Sequence, residues 1–427
     1  MAAGWSAGAA DSFVTRLRVG VTHGQYSLDS GIHPRASDRA MAVLRAAADL
    51  QNQHLMGWGA SNPEPRPGQF QWQSLDQRIA LIRRSNGDPV LTLCCAPDWM
   101  KGGKAGRTDW KLLEVAPTPD HYDDFAALAA RAALRYPDIR YFQVWNELKG
   151  FWDPVANTWD ARAYTDMYNR VYDAIKAVRP DALIGGPYVV VDSWSESAVA
   201  SHPSEVRGPW GILDQRPLDV LEYWFAHAHG ADFVTVDGET ATRDRGLITD
   251  AFTATQKFTA VDNWLRARTT LPIWWAEWYA SVPPGKAYDL LYQNAVGTAA
   301  LRQLALSGSA VALSWQPQGW GEHCLGCLWS DVNASSGGQA TPFAATLTAW
   351  RKSFPPGTLL HENAGQLPDG VLGLASRTQQ LLINSRYDLV VLPSRAGRLS
   401  AHEVRFRPLS PHPFMSVARS AAACWHS

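Results

Sequence analysis

The chain has 427 residues, with 39 lysines and arginines against 40 aspartates and glutamates, and a formal net charge of −1. Hydrophobic residues make up 46% and charged ones 19%, enough to bury a large core, so intrinsic disorder is excluded. The balanced charge offers no field for nucleic acid or an anionic membrane, and no stretch approaches the ~20 apolar residues of a membrane helix.

The N-terminal stretch Met1–Phe13 has neither the cationic start nor the apolar run of a signal peptide, so export would rest on a leader outside this sequence. Short apolar or β-branched runs then alternate with helical ones. Leu17–Thr22 reads as a first strand, followed by a helix over Ser37–Leu50 that Ser37 can cap. A second strand is expected at His54–Gly59, then a helix at Leu75–Arg84. Strand three is Val90–Cys95, with the helix Tyr122–Tyr136 after it. Strand four is Arg140–Trp145 and its helix Ala161–Val178, stopped before Pro180. The pattern continues with strands Ala182–Gly186, Asp232–Val236, Pro272–Ala276 and Ala310–Trp315. Their helices are Leu218–His229, Phe252–Arg268, Tyr288–Leu306 and Pro342–Ser353.

About eight βα units in order predict a parallel sheet closed as a (β/α)8 TIM barrel, an α/β fold occupying residues 1–354. After Pro355–Pro356, strand-like runs at Val371–Ser376, Gln379–Ser385, Asp388–Leu392 and His402–Arg407 predict a small antiparallel β accessory domain over 355–427. It is too small to stand alone and is expected to pack on the barrel, with residues 1–16 adding a strand.

Five cysteines are present: Cys94 and Cys95 adjacent, Cys324 and Cys327 as a CxxC, and Cys424. The CxxC reads as a loop disulfide or two inert thiols. With His323 it offers three metal ligands, one short of a structural zinc site.

Two predicted strand ends carry candidate chemistry. Strand four runs out through Tyr141-Phe142-Gln143-Val144-Trp145-Asn146-Glu147, and strand seven through Pro272-Ile273-Trp274-Trp275-Ala276-Glu277-Trp278. In a barrel the working residues sit at the C-terminal ends of strands. Strands four and seven face each other across the mouth, so two carboxylates can converge on one bond. Glycosidic cleavage needs that pair, one carboxyl to protonate the leaving oxygen and one carboxylate to meet the oxocarbenium-like carbon.

With Asn146-Glu147 after an aromatic strand and Ala276-Glu277-Trp278 at the seventh, the chain resembles the large clan of retaining (β/α)8 glycoside hydrolases. Trp145-Asn146-Glu147, Gly185-Gly186-Pro187 and Glu277-Trp278 make it most similar to glycoside hydrolase family 39, which contains β-xylosidases, α-iduronidases and exopolysaccharide endoglycosidases. The resemblance implies Glu147 as acid/base, Glu277 as nucleophile, Asn146 as ligand of the sugar 2-hydroxyl, and Trp315 as the floor under the cleaved sugar. It implies no metal or organic cofactor, and a carbohydrate as the partner. Two departures stand out. Strand six ends Val236-Asp237-Gly238, where the clan usually has His or Tyr, and the second strand shows no supporting Arg.

The composition holds 20 tryptophans against 13 tyrosines and 13 phenylalanines. Trp224, Trp264 and Trp350 fall on predicted helices and read as core. Trp58, Trp99, Trp152, Trp194, Trp278 and Trp320 lie at loop ends, where a flat ring can stack on a sugar. His23 is either a hydroxyl ligand or a buried, satisfied histidine. Lys149, Asp98 and Tyr188 are candidate hydrogen-bonding partners of substrate, while Asp237 and Glu239 either orient the nucleophile or cap a segment. The insertion Asp192–Arg216 favours an extended groove. The expectation is a retaining O-glycosidase acting on an oligo- or polysaccharide outside the cell. The alternative is a non-catalytic glycan-binding barrel.

Overall fold

The computed structural model describes residues 12–24, 27–28, 33–53, 63–198, 202–321, 324–362, 367–392 and 397–409. Eight parallel strands close a barrel: β1 Arg18–Thr22, β2 Leu50–Gln53, β3 Asp88–Leu93, β4 Tyr141–Val144, β5 Leu183–Val190, β6 Phe233–Glu239, β7 Ile273–Tyr279 and β8 Val311–Trp315. β8 pairs back onto β1, from Val311 against Arg18 to Trp315 against Thr22. The helices that follow the strands are α1 Pro34–Ala47, α2 Gln73–Arg84, α3 Tyr122–Arg135, α4 Ala161–Val178, α5 Gln215–His227, α6 Gln256–Arg266, α7 Leu290–Leu306 and α8 Pro342–Ser353. Most are amphipathic for a simple reason of spacing, whereas α7 is buried almost all round. In α4, Tyr164, Tyr168, Val171 and Ile175 recur every three or four residues and are buried, and Asp160 caps the first turn by accepting from the Ala163 N–H at 2.9 Å.

The barrel interior is filled from the bottom. Leu50, Val90, Phe233, Trp274, Val311 and Leu313 form one apolar cluster, with Phe233 and Trp274 stacked 4.0 Å apart. Gly185 makes room for this layer, because a Cβ there would come within 2.2 Å of the Phe233 ring. Above it lies a polar layer. Gln143 donates to Thr92, Thr92 to Asn52, and Asn52 to Thr22, whose own hydroxyl donates to the Ala276 carbonyl.

The second strand differs from expectation: it is Leu50–Gln53, and His54–Gly59, with Trp58, lies outside the described residues. Polar Gln51, Asn52 and Gln53 hid it, because their side chains are satisfied inside the protein rather than in water. The first helix starts earlier than expected, with Pro34 at its first position and His33 before it, so Ser37 caps nothing. Beyond the barrel a five-stranded antiparallel sheet runs in the order Ser12–Val14, Leu359–Glu362, Val371–Ala375, Gln379–Asn384, Val404–Pro408. Leu360, Leu374, Leu381 and Ile383 of this sheet join the same hydrophobic core as the barrel helices. Val390–Val391, read as part of this sheet, pairs instead with Arg398–Leu399.

Candidate active site

The C-terminal ends of β4 to β8 meet at one mouth, around a cleft of about 320 Å³. Simple alternation explains part of what points into it. On β6, Phe233, Thr235 and Asp237 fall two apart on the inner face, and on β8 Val311, Leu313 and Trp315 do the same. The other inward groups depend on irregularities. Between Trp275 and Glu277, β7 carries one extra residue, Ala276, relative to β6. This bulge turns Glu277 inward while Trp275 and Trp278 face the helices. β5 carries one extra residue at Tyr188, also relative to β6. The two irregularities meet, for the Tyr188 hydroxyl donates to Glu277 Oε1 at 2.6 Å.

At the end of β4 the chain takes a left-handed path: Trp145, Glu147 and Leu148 have φ of 72°, 49° and 49°. Tyr188 (57°) and Gln316 (51°) share this at the same mouth. Such strain costs energy and persists where packing over-determines it, which directs attention to this rim. Trp145 supplies that packing, with its ring edge-on to Phe125 and Phe151 and its Nε1–H donated to the Lys149 carbonyl at 2.7 Å.

Three carboxylates result. Oxygens of Glu147, Asp237 and Glu277 lie within 4.8 Å of one another. Asp237 and Glu277 are each 4% exposed. Burial, followed by the neighbouring Glu277 and Glu147, pushes Asp237 well above the usual carboxylate range. Burial and Glu277 likewise keep the Tyr188 phenol protonated far above the ordinary tyrosine range. Lys149 answers part of the negative charge, with Nζ at 3.0 Å from both Glu147 Oε2 and Glu114 Oε1. Burial opposes its charge, but Glu147 and Glu114 outweigh that and raise its titration above the ordinary lysine value. Clusters of hard oxygen donors attract cations, and the Lys149 ammonium meets one of the three, Glu147. Behind the mouth, buried Lys257 of α6 donates to the Glu239 carbonyl at 2.7 Å, and burial lowers its pKa to about 8. A centre of this kind can give one proton to a leaving group and present an ionised carboxylate beside it.

Of the residues singled out from sequence, Glu147, Glu277, Asp237 and Trp315 line the cleft together with Glu239. Tyr188 sits beneath Glu277, and Asn146 is fully buried beside Glu147. Lys149 is in an ion pair with Glu147. The others lie elsewhere. His23 is buried, with Nε2 3.2 Å from Gln51 Oε1, while its Nδ1 has no partner among the described residues. Trp278 packs edge-on against Phe258 and Phe343, in the helix layer. Trp99 donates to the Glu64 carbonyl at 2.9 Å and meets the His121 ring edge-on. Trp194 donates to Asp214 at 3.0 Å, and Asp98 pairs with Lys101. Trp152 packs at a right angle on Trp159, across a two-stranded hairpin, and it is Trp159 that lines the cleft.

Trp159, Asp192, Arg243 and Tyr279 are lining residues that the sequence reading did not single out. Trp159 had a signal, since Trp152 and Trp159 bracket a turn-rich Asp-Pro-Val-Ala-Asn-Thr. Cys324 and Cys327 are bonded to each other, and so are Cys94 and Cys95. Neither sulfur of the CxxC is therefore a thiolate ligand, and His323 and Cys424 lie outside the described residues.

No family model and no curated protein matches the sequence. Solved structures are similar. The monomeric beta-xylosidase from Caulobacter crescentus CB15 aligns over 91% of this chain and 77% of its own, with a TM-score of 0.60 and 16% identity. The GH39 enzyme from Xanthomonas axonopodis pv. citri aligns over 91% and 75%, with a TM-score of 0.58 and 18% identity. A family 39 glycoside hydrolase from the gut symbiont Bacteroides cellulosilyticus WH2 aligns over 92% and 80%, at 0.58 and 14%. The chain has the fold of the family 39 glycoside hydrolases. At these identities the likeness is one of fold, closed barrel and appended antiparallel sheet included, and the family 39 architecture says where a site would lie rather than what it does.

Proposed function

We propose that the chain is a retaining glycoside hydrolase acting on O-glycosidic bonds of an oligo- or polysaccharide. The observation that carries this reading is the approach of Glu147 and Glu277 oxygens to within 4.8 Å across the barrel mouth. Carboxyl groups about 5–5.5 Å apart suit direct attack and retention, whereas inversion needs roughly 6.5–9.5 Å to admit a water. In this reading Glu277, oriented by Tyr188, attacks the anomeric carbon while Glu147 protonates the departing oxygen. Water then enters with Glu147 as base. Asn146 holds the 2-hydroxyl, and Trp315 and Trp159 offer ring faces to the sugar. The similar structures include a xylosidase, a glucosidase and a mannosidase, and aryl glycosides of these sugars form the natural first panel. The barrel and the sheet over 355–427, which Ser12–Val14 joins, are units of one enzyme that works outside the cell. Among the described residues no helix is long and apolar enough to cross a membrane.

Glu277→Ala should lower turnover at least about 10⁴-fold, with azide restoring part of it as a glycosyl azide of inverted configuration. Wild-type activity in that variant overturns the reading. The Lys149–Glu147 ion pair favours a second reading, a glycan-binding barrel without catalysis. That barrel would show saturable oligosaccharide binding and no release of reducing ends.

A further inference from the structure

Asp237 stands where the clan pattern has His or Tyr, and it is a third carboxyl in a place built for two. Its position is fixed by β6: Phe233 and Thr235 lie below it on the same inner face, and the register sets it directly beside Glu277. It is buried, so water does not share its charge. One of its oxygens lies within 4.8 Å of oxygens of both Glu147 and Glu277, while Oδ2 has no partner among the described residues. Two ionised carboxylates only accept hydrogen bonds. Three carboxyls this close, two of them buried, cannot all ionise, so the cluster holds a proton.

The neighbours say where that proton rests. Lys149 lies 3.0 Å from Glu147 Oε2 and favours ionised Glu147. Among the described residues no ion pair reaches Asp237. Glu277 repels its charge from β7, and Asp192 repels it from beyond the end of β5. Tyr188 and Tyr279 stay neutral nearby. Lys257 of α6 faces it from the back of the mouth with Asp192 and Glu239, and Arg243 lines the same cleft beside Asp192.

Resting on the retaining glycosidase reading, we propose that Asp237 is the proton store of the acid/base: the proton that Glu147 delivers resides on Asp237 between turnovers. In the first step the Asp237 O–H bond breaks and a Glu147 O–H bond forms. That proton then passes to the leaving oxygen as its bond to the anomeric carbon breaks and the Glu277 ester forms. Asp237 is left ionised, with Lys257 behind it. In the second step water gives a proton to Glu147 as its oxygen replaces Glu277 on the carbon, and the proton returns to Asp237. No proton is gained or lost over the cycle. Asp237 acts through Glu147 and is a positioning residue for the proton rather than a group that touches the sugar.

The test pairs a direct measurement with kinetics. In protein labelled with carbon-13 at Asp carboxyls, one carboxyl resonance should remain at the protonated position at pH 7 and vanish in Asp237→Asn. In kinetics, Asp237→Asn keeps the shape and a hydrogen-bond donor but cannot pass a proton on. Glycosides with poor leaving groups should lose about a hundredfold in kcat, and dinitrophenyl glycosides, which need no acid, less than about tenfold. The alkaline limb of the pH profile should move down by roughly one unit or more, and Asp237→Glu should restore it. Fully ionised Asp carboxyls at pH 7 overturn the proposal. So does an equal loss for both kinds of leaving group with an unmoved pH profile. Because the resonance does not depend on turnover, a wild-type protein that cleaves nothing defeats the glycosidase reading, while the spectrum still decides whether Asp237 holds the proton.

Discussion

Tyr188 is the group through which the barrel wall reaches the proposed nucleophile. Its hydroxyl, 2.6 Å from Glu277 Oε1, is a donor to a buried carboxyl, and burial keeps it a donor across the working pH range. Hydrogen bonds to charged groups are worth about 1.5–3 kcal/mol. Tyr188→Phe should therefore lower kcat about ten- to a hundredfold, a loss that steady-state kinetics would measure at a temperature well below the variant's own melting point. His23 makes a prediction about stability instead. Burial, then Arg78, lowers its pKa from 6.5 to about 4. Between those values the unfolded chain binds a proton that the folded chain does not. Stability is thus lost as pH falls from 6.5 toward 4, by up to about 3 kcal/mol. Chemical denaturation of wild type and His23→Gln at pH 7 and pH 4.5 should show the acid loss to be smaller in the variant. Equal losses would refute a folded-state origin in His23.

At the scale of elements, the sequence made the repeating units legible and their irregularities opaque. The helix Ala161–Val178 was readable to the residue, because its apolar spacing and its Pro180 stop are both local signals. Glu147 and Glu277 were legible as strand-end glutamates. That Glu277 faces the cleft while Trp278 does not depends on one extra residue, Ala276, counted against β6. Register between strands is a non-local quantity, and nothing in Trp-Trp-Ala-Glu-Trp records it. Trp278 was assigned to the sugar for that reason, and the structure packs it against α6 and α8 instead. β2 was missed because its polar residues are satisfied by the barrel interior and by Ser85, partners set by tertiary structure. The aromatic excess divides along similar lines. Trp145, Trp224, Trp275, Trp329 and Trp350 are fully buried, and few of the rings face the cleft.

For the whole molecule, the junction between barrel and sheet is made by side chains as well as by the shared core. Arg302 of α7 donates through Nε to the Gly373 carbonyl at 3.0 Å and pairs with Glu362. Arg302→Met keeps much of the packing but leaves a buried carbonyl without its donor, a cost of about 1–3 kcal/mol. Calorimetry should record a melting temperature lower by roughly a few degrees, with hydrogen exchange quickened first in Val371–Ala375. An unchanged melting temperature and exchange pattern would mean that the shared core alone holds the sheet.

The strand Ser12–Val14 pairs with Leu359–Glu362, and β1 pairs with β8. During synthesis the earlier member of each pair leaves the ribosome long before its partner exists. At about 5–20 residues per second the wait is tens of seconds. Throughout it, β1 and the segment before it present open strand edges to whatever else is in the compartment. Ring closure and sheet completion are therefore both late events, and the nascent chain needs an escort far more than the finished barrel does.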